Sequence, residues 1–171
     1  MAVIIGKSEA ETEAIVGKEK RLLEALNDYV IQVGVISGDS KERKTISFGL
    51  TNAELMFIHE NGSPVKNIPP RPALQKTIEY ARTNLIDKFL DTCFDKIINN
   101  EWDNSMLETE LGKLCIRIQN YAQQGLLSNT LGLEPDKPST IKRKGSDIPL
   151  VDTGQLARSI VCKYVKKEEA K

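Results

Sequence analysis

The chain has 171 residues, 40% of them apolar and 28% charged, enough for one domain with a real hydrophobic core. Lysine plus arginine equals aspartate plus glutamate at 24 each, so no global field draws the protein to nucleic acid or an anionic membrane. No run of about 18 apolar residues predicts a membrane-spanning helix, and Met1–Gly6 lacks the length and basic flank of a secretory signal. Cys93, Cys115 and Cys162 are far apart and form no Cys-x-x-Cys pair, which predicts reduced thiols, with Cys93 and Cys115 as small core residues. With a single histidine and no paired cysteines, neither a metal nor another cofactor is expected.

In chain order, Ser8–Asp28 predicts an N-terminal helix with a partial stripe of Ile15, Leu22, Leu23 and Leu26. Tyr29–Ile36 is the strongest strand signal, with apolar side chains on both faces, so it is expected at the centre of the fold or against a neighbouring subunit. Ser37–Lys44 is a polar, charged connection, and Thr45–Phe48 is expected to return as the second strand of a hairpin. The connection reads either as a solvated turn or as an arm that contacts another protein.

Thr51 followed by Glu54 is a capping signature and predicts a helix that Gly62 closes in the left-handed conformation. His59 then lies in the last turn, where the helix terminus favours its charged or donor form, and holds the next loop by a hydrogen bond. Ile68–Pro72 reads as a stiff extended connector, with Pro72 at the first turn of the next helix. Arg71, between two prolines, is a guanidinium held ready for a carboxylate or carbonyl. Any of these X-Pro bonds is open to the cis form.

Pro72–Asn99 predicts one long helix. Its face of Leu74, Ile78, Ala81, Leu85, Phe89 and Phe94 is widened by Ile86, Leu90, Cys93 and Ile97, so burial on two sides is expected. A second helix is predicted over 105–124 from Leu107, Leu111, Leu114, Ile118 and Tyr121, ended by Gly125 and antiparallel to the first. Trp102 at the junction reads as a packing plug.

Residues 128–149 read as a long loop holding a short capped helix near Pro138–Gly145. Lys142, Arg143 and Lys144 form a solvated basic face on one reading and a phosphate contact on the other. In Pro149–Leu156, Asp152 or Thr153 is expected to cap a short helix starting at Gly154. The Asp-Thr-Gly triplet occurs once, without an internal repeat, which argues against an aspartic-protease pair. Ser159–Val165 alternates as a strand that could pair with the first one, and the last residues are a polar tail. The expected organisation is an N-terminal helix or arm over 1–28, an α+β domain over 29–165 and a tail over 166–171. The fold class is α+β: a small antiparallel sheet, made of an N-terminal hairpin and a C-terminal strand, packed on two long antiparallel helices.

The order of these pieces carries more than any one of them. His59, Glu60 and Gly62, then Ile68, Pro69, Arg71 and Pro72, then Lys144, then Leu150, Asp152, Thr153, Gly154, Leu156, Ser159 and Ile160 follow a pattern across Tyr29–Val165. It resembles the tail-completion and head–tail joining proteins of tailed bacteriophages, including the virion-morphogenesis proteins of Mu-like phages. Ala73-Leu74 departs from it where that family commonly has an aromatic residue.

The resemblance implies a non-enzymatic virion component made in the host cytoplasm and placed in the neck. There it forms a homo-oligomeric ring of roughly six or twelve copies between the connector and the tail tube or terminator. Genomic DNA would pass through the lumen without sequence-specific binding, leaving Lys142, Arg143 and Lys144 as candidate DNA-channel or partner contacts. His59, Glu60, Gly62, Pro69, Arg71, Pro72, Asp152, Thr153 and Gly154 are then structural motif residues, with no catalytic residue and no membrane contact. The alternatives are a non-viral adaptor module and a hydrolase that uses His59 with Asp152.

Overall fold

A computed structural model describes residues 8–35, 49–99, 101 and 103–170. The expected second hairpin strand Thr45–Phe48, the charged connection Ser37–Lys44 and the Trp102 plug lie outside the described residues. The described chain is mixed α+β, a small antiparallel sheet packed on helices.

Helix α1 spans Glu9–Asn27 and begins at a reciprocal capping box: the Ser8 hydroxyl accepts from the Glu11 amide, and the Glu11 carboxylate accepts from the Ser8 amide. It docks through Ile15 and Leu22, both buried, whereas Leu23, expected on the same stripe, is 55% exposed. Strand β1, Tyr29–Gly34, pairs antiparallel with β2, Val161–Lys166, with Tyr29 opposite Lys166 and Gly34 opposite Val161. The pairing predicted between the first and last strands is therefore present. Tyr29, Ile31 and Val33, alternate residues of β1, meet the core.

Helix α2, Asn52–Asn61, starts at a second capping box between Thr51 and Glu54. The long helical stretch that follows is two helices, α3 (Ala73–Asn84) and α4 (Ile86–Ile98), not the single helix its stripe predicts. The break falls at Leu85 (φ −112°, ψ −36°). Just before it, the Thr83 hydroxyl and the Asn84 amide donate back to the Glu79 and Tyr80 carbonyls. Leu85 N–H on Ala81 closes the α3 ladder and Phe89 N–H on Leu85 opens the α4 ladder, so Leu85 is the joint between two helices.

Helix α5, Asn104–Ser128, is the spine. As α3 and α4 advance, their partners on α5 and just beyond it recede: Lys76 reaches the Leu131 carbonyl, Tyr80 stacks on Tyr121, and Lys96 faces Glu110. The pair is antiparallel, as expected. The first half of α5 buries Leu107, Leu111, Leu114 and Ile118 against α1 and α4, forming the larger core. Its second half buries Ala122 and Leu126 in a smaller core with Met56, Ala73, Leu131, Leu133, Leu156 and Ile160. Val33 packs against both cores. Cys93 and Cys115 are buried as expected, and burial raises the Cys93 thiol to about 11.

Gly125 does not end α5. The helix runs to Ser128 and is closed by left-handed Asn129 (φ 55°), whose side chain accepts from the Leu133 amide. Gly125 is instead a contact point: a Cβ there would lie 2.7 Å from Cγ of Leu131. Helix α6, Pro138–Lys144, has proline at its start and left-handed Gly145 at its end, as predicted, and α7 spans Gln155–Arg158. Gly125→Val should therefore lower unfolding free energy by about 1–3 kcal/mol through overpacking against Leu131, read by chemical denaturation. An unchanged midpoint would show that Leu131 can retreat freely.

Candidate functional site

Two corners far apart in sequence meet here. The first begins where α2 ends. Gly62 has φ 74° and ψ 177°, so it does not take the left-handed helical conformation expected of it. It occupies an extended positive-φ region open essentially to glycine alone. A Cβ at Gly62 would sit 2.9 Å from the Ile68 carbonyl oxygen and 2.9 Å from the Pro70 nitrogen. The chain folds back on itself: Ser63 and Ile68 exchange both backbone hydrogen bonds at 2.9 Å, around a short 3₁₀ turn at Pro64–Lys66. Half-buried Pro69 then leads through Pro70 to Arg71, and all described peptide bonds are trans.

Arg71 is 5% exposed and makes the use of its position that its flanking prolines predict. Its N–H donates to the His59 carbonyl at 2.6 Å, tying the connector to the last turn of α2. Its guanidinium donates to the carbonyls of Glu134 (2.8 Å) and Pro135 (3.1 Å) and pairs with Asp136 at 2.9 Å. Glu60 completes the corner: its two carboxylate oxygens accept from the amides of Leu74 (3.0 Å) and Gln75 (2.8 Å). A carboxylate from α2 thus satisfies orphan donors at the start of α3, which Pro72, as its cap, leaves open.

The second corner is built on Asp136. One oxygen takes Arg71; the other takes Lys144 at 2.5 Å, with Asp136 and Lys144 both at 9% side-chain exposure. Lys144 also donates to the Ile148 carbonyl. It is thus a buried structural cation, contrary to the solvated basic face expected of the run; Lys142 and Arg143 remain exposed. Gly154 (φ 72°) caps α7 in the left-handed conformation, its missing Cβ leaving room for Arg158 at 3.0 Å. Neither Asp152 nor Thr153 is the cap expected of it: Gly154 holds the cap position of α7 without a side-chain cap bond, the Thr153 hydroxyl accepts from the Gln155 amide only at 3.4 Å, and Asp152 is exposed.

Between the corners lies a cleft of about 270 Å³. Leu55, Leu150 and Leu156 give it an apolar wall, and His59, Asp136, Arg143, Lys144 and Asp152 supply its polar groups. His59 sits in the last turn of α2 as expected, but its role differs from the prediction. It holds the connector through its backbone carbonyl, while Nδ1 is buried without a hydrogen-bond partner among the described residues. Burial, and then the adjacent Arg71 guanidinium, hold its pKa below the ordinary histidine value, with Asp136 opposing them. This outweighs the helix terminus, which favours the cation. His59 and Asp152 do line one cleft, as the hydrolase alternative requires, yet among the described residues no carboxylate orients Nδ1 of His59.

Sequence reasoning missed Asp136, the centre of the arrangement, and the carbonyls of Glu134 and Pro135. The one available signal was the compact Glu134-Pro135-Asp136-Lys137-Pro138, which marks a turn but not its partner 63 residues earlier. Among the described residues, no group of three or more histidine, cysteine or acidic side chains could hold a metal ion, and no helix is long and apolar enough to cross a membrane. Compared with known protein families, curated proteins and solved structures, the chain has no match.

Arg71→Ala should cost about 3–5 kcal/mol, because it strands a buried carboxylate and two carbonyls together. Arg71→Lys should recover little, since a point-charge ammonium cannot replace the planar fork. Gly62→Ala should cost about 2–4 kcal/mol through backbone strain and the clash with Ile68 and Pro70. Urea denaturation of the three variants checks these values, and wild-type midpoints in Arg71→Ala and Gly62→Ala would contradict the assignment.

Proposed function

We propose that this protein is a structural component of a tailed-phage virion, forming a ring at the head–tail interface that joins the connector to the tail. The observation that carries the reading is the convergence of the separate motif residues on one joint. Arg71, tied to the His59 carbonyl in the first corner, meets Lys144 from the second through Asp136, while Glu60 caps α3 and Gly62 shapes the turn beside them. Residues that only share a sequence pattern by chance have no reason to meet; residues that specify one fold do. Each contributes a bond, cap or backbone conformation to the frame, as expected of motif residues in an assembly part.

On this reading the protein acts by presenting complementary surfaces to its neighbours, and its partners are further copies of itself, the connector and the tail tube or terminator. The correction at Lys144 narrows the candidate lumen contacts to Lys142 and Arg143, which keep their charges in solvent. Near-zero net charge limits self-repulsion between copies.

Cryo-EM of virions carrying this gene product should show a neck ring into which the fold described here fits. A neck fully accounted for by other chains would refute the assignment. For the lumen contact, the double substitution Lys142→Glu and Arg143→Glu should lower retention of packaged DNA while leaving the fold intact, measured by nuclease protection of the genome. Unchanged retention would remove these residues from the channel.

A further inference from the structure

His59 is the one histidine in the chain, and among the described residues its buried Nδ1 has no hydrogen-bond partner. The groups facing it come from every element packed around the cleft: Arg71 from the connector, Asp136 from the segment after α5, Arg143 and Lys144 from α6, and Asp152 from the turn before α7. Glu60, on its own helix, is committed to the α3 amides. Asp136 is committed as well, one oxygen to Arg71 and the other to Lys144. A second proton on the imidazole would place another cation beside a carboxylate already shared by two. The Leu55, Leu150 and Leu156 wall limits screening by water there. The His59 carbonyl holds the Arg71 amide, which fixes the backbone that carries the ring beside Arg71.

We propose that His59 makes this joint an acid-sensitive latch: with a neutral imidazole the segment 134–154 stays closed on the α2–α3 corner, and the imidazolium releases it. The lowered pKa of His59 agrees in sign. The open form binds the proton more readily than the closed one, so closure is complete above the ordinary histidine pKa. It is lost as pH falls below that value toward the lower one of the closed form. Release would uncover the apolar wall, turning a change in acidity into an exposed surface.

The test is amide hydrogen exchange of the full chain between about pH 7.5 and about pH 5.5, expressed as protection factors so that intrinsic rates cancel. In the wild type, protection over 134–154 should fall several-fold relative to α3 and α4, because the open form takes up the proton more readily than the closed one. His59→Gln, which cannot gain the charge, should lose none of this protection. Equal loss in both proteins, uniform loss across the whole chain, or no loss in the wild type would overturn the proposal. Should His59→Gln fail to fold, the lone imidazole can be titrated by proton NMR in the wild type. A midpoint below the ordinary histidine value that coincides with the loss of protection supports the latch, and a midpoint at or above it refutes the latch.

Discussion

One carboxylate holds the two ends of this fold's smaller core together. Asp136 gives an oxygen to Arg71 and an oxygen to Lys144, and none of the three side chains is more than 9% exposed. The net energy of such a buried cluster is modest, because attraction is set against the desolvation of three charges. Its effect on geometry is large. Any other register of the 134–145 segment against the connector would leave at least one charge buried and unpaired, at a cost of several kcal/mol. The cluster therefore selects one arrangement, and the direction of α3, the position of α6 and the shape of the cleft follow from it.

The same device recurs wherever the chain is irregular. Residues 129–154 hold little regular structure beyond α6, so their carbonyls lack a ladder and need other donors. Long cationic side chains provide them. Lys76 reaches the carbonyls of Leu131 and Gly132, Arg71 those of Glu134 and Pro135, and Lys144 that of Ile148. A neutral composition conceals this use of charge: several of the lysines and arginines that make up the total are interior fittings rather than a solvated surface. The basic run 142–144 illustrates it, with one of its three members turned inward and two left outside.

Seen this way, motif residues that suggest chemistry serve geometry first. His59 contributes a carbonyl, Glu60 caps the neighbouring helix, and Gly62 supplies a backbone conformation closed to other residues. On the proposed reading as a virion part, such a frame would fix the shape offered to the next part. The cleft nonetheless places the one titratable group in the neutral range at the most constrained point of the frame, so shape there is coupled to acidity.

Local signals were sufficient for much of this. Ser8 with Glu11 and Thr51 with Glu54 were legible as helix starts, and Pro138 with Gly145 bounded α6. The alternation of 159–165 identified β2, and Leu107 to Ile118 identified the buried face of α5. All of these depend on residues within a few positions of one another, the range over which capping, turn geometry and periodicity act. Gly125 and Leu85 depart from their local signals: Gly125 lies inside α5 against Leu131, and Leu85 separates α3 from α4 within one apolar stripe. The sequence by itself determined most of the elements, the capping boxes that open α1 and α2, and the rigidity that prepares Arg71 for a partner. Only the tertiary structure decided that the partner is Asp136, that Lys144 is buried and that His59 is held below its ordinary pKa. Pairing between distant charges and the loss of water around them leave no periodicity to read, since both arise when the chain has closed on itself.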